Sequence, residues 1–383
     1  MIADPVRAKL TGKSGGETPV RSQMSRRRLM ALSAAALANL ALAQPAVQPP
    51  TTGPQVAAPA TPLGPPYETA GSIDVADPAL AQLIDPATPI EKVLDGFVWA
   101  EGPVWIGGRD GYLLCSDTRA NRIVEWRPPR GPNARTTGAT WTAPAGYEGP
   151  NRQGWAPHLA EPGTNGLILA RGGLVAADHG NRSIVFFDLK TRAKTTLVDR
   201  FEGKRFNSPN DLVLHPSGAI FFTDPPYGLL NSFNSPDREM DYTGVFRLDP
   251  DNRVTLVDRT SRPNGIGLSP DASKLYVTDA PGWVVFDLDR RGEATNRRLF
   301  VDRVAAKVSG GDSLKIDHLG NMWTSTGNSL TIFAPNGRRL GAIRTGQRIS
   351  NCEFGADGHV YIASNTRVLR AKVKARKIER RTG

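Results

Sequence analysis

One pattern is written six times in this chain: a polar residue on a bend, an apolar run, a tight turn, then a β-rich run ending in Asp, Ser or Thr. The copies run from Glu101 to Asp117, Asn165 to Asp178, Asn210 to Asp224, Asn264 to Asp279, Asp312 to Thr326 and Asn351 to Ser364. Their second strands read Tyr112–Asp117, Leu174–Asp178, Ala219–Asp224, Lys274–Asp279, Asn321–Thr326 and His359–Ser364, and start 62, 45, 55, 47 and 38 residues apart. That spacing holds four short strands with loops of variable length. Further β-rich runs follow at Arg122–Trp126, Ser183–Asp188, Gly244–Leu248 and Trp283–Asp287. Each unit is too small to bury its own apolar face, so units of this kind stack around an axis. The expected fold is therefore all-β: a six-bladed β-propeller with four-stranded blades around a central channel, which the residues at its end, taken below, mark as metal-containing.

Charge separates the body from its ends. The 383-residue chain carries a formal +11, but residues 1–43 hold seven Lys/Arg against two Asp/Glu, and residues 370–383 hold seven against Glu379 alone. The middle is neutral, which argues against a nucleic-acid-binding face. Arg26-Arg27-Arg28 precedes the Ala-rich stretch Ala31–Ala43, too short to span a bilayer, with Ala41-Leu42-Ala43 as a small-residue cleavage site. Residues 1–43 thus read as a twin-arginine export signal, which implies a periplasmic protein with no membrane attachment once cleaved. Residues 44–66 read as a Pro/Ala-rich linker, 67–372 as the propeller and 373–383 as a solvated basic tail. Asp77-Pro78 starts a short capped helix on the propeller's outer edge. Cys115 and Cys352 fall in blades that ring closure makes neighbours; buried free thiols are the default, with a disulfide as the alternative.

The first residues of the six units are Glu101, Asn165, Asn210, Asn264, Asp312 and Asn351, and pseudo-symmetry brings them to one end of the channel. Two carboxylates and several amide oxygens, without His or Cys, suit Ca²⁺ and tolerate Mg²⁺ or Mn²⁺. The competing reading is that Asn before Gly only supplies turn geometry. Glu101 and Asp312 resist that reading better, since Glu is a poor turn former and two acids converging on one channel would repel without a cation between them. His179 and Tyr227 end the second strands of units two and three near the mouth, as sugar ligands or as turn and loop packing. His215, His318 and His359 read as solvent-facing turn residues, and Trp141 and Trp155 as possible stacking platforms. The insertions Pro128–Glu161 and Tyr227–Tyr242 are expected to line or lid the mouth.

The segments Phe97-Val-Trp-Ala-Glu101-Gly-Pro-Val-Trp105, Asp178-His179-Gly180-Asn181-Arg182, Phe206-Asn-Ser-Pro-Asn210-Asp211, Phe222-Thr-Asp224-Pro-Pro-Tyr227-Gly228, Arg262-Pro-Asn264-Gly-Ile-Gly and Ser350-Asn351-Cys352-Glu-Phe354 resemble the SMP-30/gluconolactonase/LRE family over about residues 75–372. The resemblance implies a six-bladed propeller with one divalent metal, and many members hydrolyse sugar lactones. It implies Glu101, Asn264 and Asp312 as direct metal ligands, Asn210 beside the metal and its water or substrate, and Asp312 as general base. Gly310-Gly311-Asp312-Ser313 departs from the family's usual Pro-Asp-Gly at that acid. The catalytic candidates are Asp312 and Glu101; Asn210, His179, Tyr227 and Asn165 are the substrate-binding candidates. The metal candidates are Glu101, Asn264, Asp312 and Asn210, with Ca²⁺ preferred over Zn²⁺, Mn²⁺, Mg²⁺ or Fe²⁺. The expected partner is a small sugar lactone. An esterase or phosphotriesterase on the same site, and a non-catalytic binding propeller, are the alternatives; the sugar and the oligomeric state stay open.

Overall fold

A computed structural model of the chain describes residues 59–130, 136–149 and 156–378. The export signal 1–43, the segment through residue 58, Trp155 and residues 379–383 lie outside the described residues. Six antiparallel sheets form the blades, each with its innermost strand first: Ala100–Ile106, Thr164–Ala170, Leu212–Leu214, Ile266–Leu268, Gly311–Ile316 and Ile349–Phe354. The second strands are Tyr112–Asp117, Gly173–Asp178, Ile220–Asp224, Lys274–Thr278, Met322–Thr326 and His359–Ser364, within about a residue of the reading above.

The ring closes with strands from both ends of the described chain. Ile90–Asp95, which precedes the first unit, becomes the fourth strand of the sixth blade, pairing Leu94 with Val368 and Asp95 with Arg367. Thr61–Pro62, at the end of the segment read as linker, pairs with Asp95 and Leu94 on that same edge. Ser72–Val75 adds a fifth strand to the fifth blade along Gly341–Arg344.

Burial decreases from the axis outward. Every residue of Ala100–Ile106 and Ile349–Phe354 is buried, whereas Lys194–Val198 and most of Ala294–Asp302 are partly or fully exposed. The apolar faces meet between blades. Val104, Leu114 and Ile123 of the first pack on Leu167, Ala176 and Val185 of the second, and Trp105 and Trp126 of the first on Tyr361 of the sixth. No blade is stable alone, because its core is shared with both neighbours.

The Asp77 carboxylate caps Ala79 N at 2.8 Å over the short 3₁₀ turn Pro78–Gln82, and Leu80, Leu83 and Ile84 bury against the outer part of blades five and six. Both cysteines are free and buried. Four details correct the sequence reading. Residues 373–378 are not a solvated tail: Val373 and Ala375 are buried, Lys374 N donates to Leu83 O, and Lys377 pairs with Glu353 at 2.8 Å. The insertion Pro128–Glu161 contains the first blade's fourth strand, Thr137–Thr142. Trp141 on that strand is core, edge-on to Phe187, rather than a stacking platform. His215 is buried, with Nδ1 2.8 Å from Ser217 Oγ and its ring edge-on to Phe221, because its turn folds back onto the blade.

Candidate functional site

The six first residues do meet at one end of the channel, and β-bulges aim several of them. Register slips between Glu101 and Val104, Thr164 and Leu167, Gly311 and Leu314, and Ile349 and Asn351, each on an innermost strand. A bulge re-aims a side chain without unzipping the ladder. Hydrogen bonds then link neighbours around the ring. Ser116 Oγ donates to Asn165 O at 2.8 Å, Gly166 N to Asn210 O at 2.8 Å, Thr223 Oγ1 to Asn264 O at 2.7 Å and Gly265 N to Asp312 O at 3.0 Å. Ser325 Oγ donates to Ser350 O at 3.3 Å and Ser350 Oγ to Ala100 O at 2.6 Å, closing the circle. The strands come so close that a Cβ on Gly102, which has φ of +48°, would sit 1.9 Å from Asn165 O. Only glycine fits there.

The aspartates that end the second strands hold the loops entering the ring. Asp117 accepts from Val98 N and Trp99 N at 3.0 Å, Asp224 from Asn207 N at 2.8 Å and Ser208 N at 2.9 Å, and Asp279 from Arg262 N at 2.7 Å. Burial pushes the Asp224 carboxyl up to about 7 against these donors.

The ring itself is under-satisfied. Glu101 and Asp312 are both buried, and burial, joined by the Asp312 charge, holds the Glu101 carboxyl well above the usual carboxylate range. Burial also raises Asp312, opposed chiefly by Arg348, whose guanidinium lies 3.2 Å from Oδ2. The side-chain oxygens of Asn165, Asn210 and Asn264 are buried with no hydrogen-bond partner. Three orphaned amide oxygens beside two mutually repelling carboxylates fit a hard divalent cation, whose charge and coordination would relieve both costs. Among the described residues no group of three His, Cys, Asp or Glu side chains is placed to hold a metal, so the amides are essential to any such site. Asn351 plays another part. Its Nδ2 donates to Glu101 Oε2 at 3.3 Å while its own Oδ1 accepts from Cys352 N, so it steadies Glu101.

His179 has no exposed surface; its Nε2 is 3.5 Å from Asn210 Nδ2 and its Nδ1 3.1 Å from Glu161 Oε2. Tyr227 is partly exposed and edge-on to Phe233; burial, then the Asp312 charge, raises its phenol above the ordinary range. The two insertions join beside His179. Leu159 bridges Leu229, Ala160 N and Glu161 N donate to Gly228 O, and a Cβ on Gly228 would lie 2.7 Å from His179 Cβ.

Sequence reasoning missed Glu161, Arg348, Arg119 and Trp99. Glu161 also pairs with Arg119 at 3.4 Å, and the guanidinium groups of Arg119 and Arg348 lie 5.0 and 5.5 Å from the Trp99 ring. A positional signal existed. Trp99 and Arg262 stand two residues before ring positions, and Arg348 three before Asn351.

Buried acids and unpartnered amide oxygens gathered on the innermost strands of a six-bladed propeller make a ligand-binding site, and the sequence comparisons decide which family it belongs to. The profile of the SMP-30/Gluconolactonase/LRE-like region matches residues 99–366, and the chain belongs to that family. It is 40% identical over 322 residues to a gluconolactonase of Zymomonas mobilis, covering 80% of this chain and 87% of that one. It is 29% identical over 191 residues to an L-arabinolactonase of Azospirillum brasilense, covering 47% and 60%. A solved gluconolactonase of Xanthomonas campestris superposes with a TM-score of 0.66 at 28% identity, covering 83% of this chain and 98% of that one.

Proposed function

We propose that this chain opens a sugar lactone to its aldonic acid, with one divalent cation held by Glu101, Asn264, Asp312 and Asn210. That it is a hydrolase of the lactonase class rests on its family and on the gluconolactonase relatives. The observation that carries the rest is the meeting of two buried acids with three unpartnered amide oxygens. An all-oxygen donor set favours Ca²⁺. When bound, the cation supplies Lewis-acid polarisation of the lactone carbonyl and acidifies water for attack.

Asp312 takes the proton of the attacking water as the water oxygen bonds to the carbonyl carbon, and returns it to the ring oxygen as the C–O bond breaks. The product leaves with one new carboxyl and one new hydroxyl. Burial keeps Asp312 a stronger proton acceptor than a solvated aspartate, and Arg348 holds its carboxylate in place. Glu101 is the second acid, steadied by Asn351 and by Gly102 N at 3.1 Å. Tyr227, kept protonated at the rim, donates to a sugar oxygen, and Asn165 offers the neighbouring amide.

Acid release from glucono-1,5-lactone by the purified chain, with Ca²⁺ and with chelator, tests this reading. Turnover lost to chelator and restored by Ca²⁺ is expected; equal turnover in both sinks the metal role. The basic, Ala-rich leader supports a periplasmic location, and accumulation of an uncleaved cytoplasmic form would overturn it.

A further inference from the structure

The Glu161–His179 pair is not explained by a direct role on substrate. His179 is sealed under Gly228 with no exposed surface, and its two ring nitrogens face different partners: Glu161 Oε2 at 3.1 Å from Nδ1, and Asn210 Nδ2 at 3.5 Å from Nε2. The backbone leaves the ring little freedom, since His179 N donates to Gly163 O at 3.2 Å and Arg182 N to His179 O at 3.2 Å. Glu161 is equally constrained, by Gly228 O on its backbone and Arg119 on Oε1.

We propose that Glu161 and His179 are positioning residues that choose which atom of Asn210 faces the channel. An ionised carboxylate only accepts, and although the angle leaves Nδ1 without a formed hydrogen bond, the Glu161 charge 3.1 Å away favours the proton on Nδ1 over Nε2. In the neutral ring, Nε2 is then a bare acceptor, and it attracts the amide nitrogen of Asn210. The amide oxygen is left turned the other way, buried and without a partner, as observed. With the proton on Nε2 the preference reverses: Nε2 would donate to Asn210 Oδ1, and the ring would present an N–H group where a cation needs an oxygen. The tautomer of a fully buried histidine thus sets the donor set of the site. Glu161 enters from the first insertion, so this long loop shapes the ring from behind. The inference rests on reading Asn210 Oδ1 as a cation donor.

The test uses the full chain, CaCl₂ as the only probe, calorimetry for affinity and ¹⁵N NMR of the histidine ring. Wild-type His179 is expected to carry its proton on Nδ1. Glu161→Gln should weaken Ca²⁺ binding by about 10–100-fold, the range for losing a partner that orients a ligand. His179→Ala should do the same, and His179→Gln, whose amide oxygen can take the place of Nε2, should recover part of it. Because the lesion lies in affinity, saturating Ca²⁺ should restore most of kcat in Glu161→Gln, which a merely loosened loop would not allow. Wild-type-like Ca²⁺ affinity in a folded Glu161→Gln overturns the proposal. A proton on Nε2 in the wild type does so without any variant. If the wild type binds no divalent cation, the metal reading of the ring fails, and the tautomer alone still decides whether Glu161 sets the face of Asn210.

Discussion

Two sets of buried carboxylates lie at the same end of the propeller, and they are used in opposite ways. Asp117, Asp224 and Asp279 end second strands and have their oxygens taken up by backbone N–H groups of the loop that enters the ring. Glu101 and Asp312 start innermost strands and face each other beside orphaned amide oxygens. Both sets are buried, so burial does not distinguish them. The surroundings do: Asp117, Asp224 and Asp279 are bonded to backbone N–H groups and hold structure, whereas Glu101 and Asp312 stand against each other's charge beside amide oxygens that have no partner, an arrangement set up for a ligand.

The sharpest way to break this contrast is Asp312→Asn. Turnover should fall by about 10²–10⁴-fold if Asp312 moves the proton, while the metal-free protein melts no lower than wild type, because one of two repelling buried charges is gone. A large loss of metal-free stability would put Asp312 in the structural set. Asp224→Asn should behave in reverse. Its amide nitrogen would confront the N–H groups of Asn207 or Ser208, costing about 2–3 kcal/mol near pH 5, with kcat reduced less than tenfold. The pH dependence has a definite sign. Asp224 is raised to about 7, so the folded state binds its proton more tightly than the unfolded chain. Its contribution is full below the unfolded value near 4, falls as pH rises toward 7 and is level above. Asn cannot titrate, so the cost of Asp224→Asn, read by urea unfolding, should shrink between pH 5 and pH 8. A cost that grows over that range contradicts the raised value.

Metal addition probes the other set. Ca²⁺ at about a hundred times its Kd should stabilise the fold by about 2.7 kcal/mol, and Glu101→Gln should abolish most of that gain. Stabilisation that survives Glu101→Gln would place the cation elsewhere.

The contrast also explains what the sequence could disclose. Ring positions and second strands recur in every unit, so their register was legible to within about a residue. The fourth strands were not. Ala294–Asp302 reads ATNRRLFVD, with most residues exposed, and nothing in it marks a strand except the neighbour it pairs with. Ile90–Asp95 precedes the first unit, and its pairing with Arg367–Ala371 joins the two ends of the described chain, which no local pattern encodes. Glu161 was hidden for a related reason. It sits in the insertion, outside the repeat, and becomes part of the site only because Gly228 of the other insertion holds its backbone. His215 misled because a turn histidine usually meets water, whereas this one folds against Phe221.

The smallest expected effect comes from an aspartate that is satisfied but exposed. Asp271, in the turn of the fourth unit, is held at about 2 by the hydroxyls of Ser269 at 2.6 Å and Ser273 at 2.8 Å. It resembles Asp224 in having its oxygens occupied, but water competes for every one of its bonds. A lowered carboxyl stabilises above its unfolded value near 4, and that contribution is lost as pH falls toward 2, the opposite slope to Asp224. Asp271→Asn should therefore cost no more than about 0.5 kcal/mol at pH 6, and in urea unfolding the difference should fall to about half by pH 3 and close only as the pH passes below about 2. A loss at pH 6 matching that of Asp224→Asn would mean that hydrogen bonding alone, without burial, sets the worth of these aspartates, and the division between the two carboxylate sets would need a different basis.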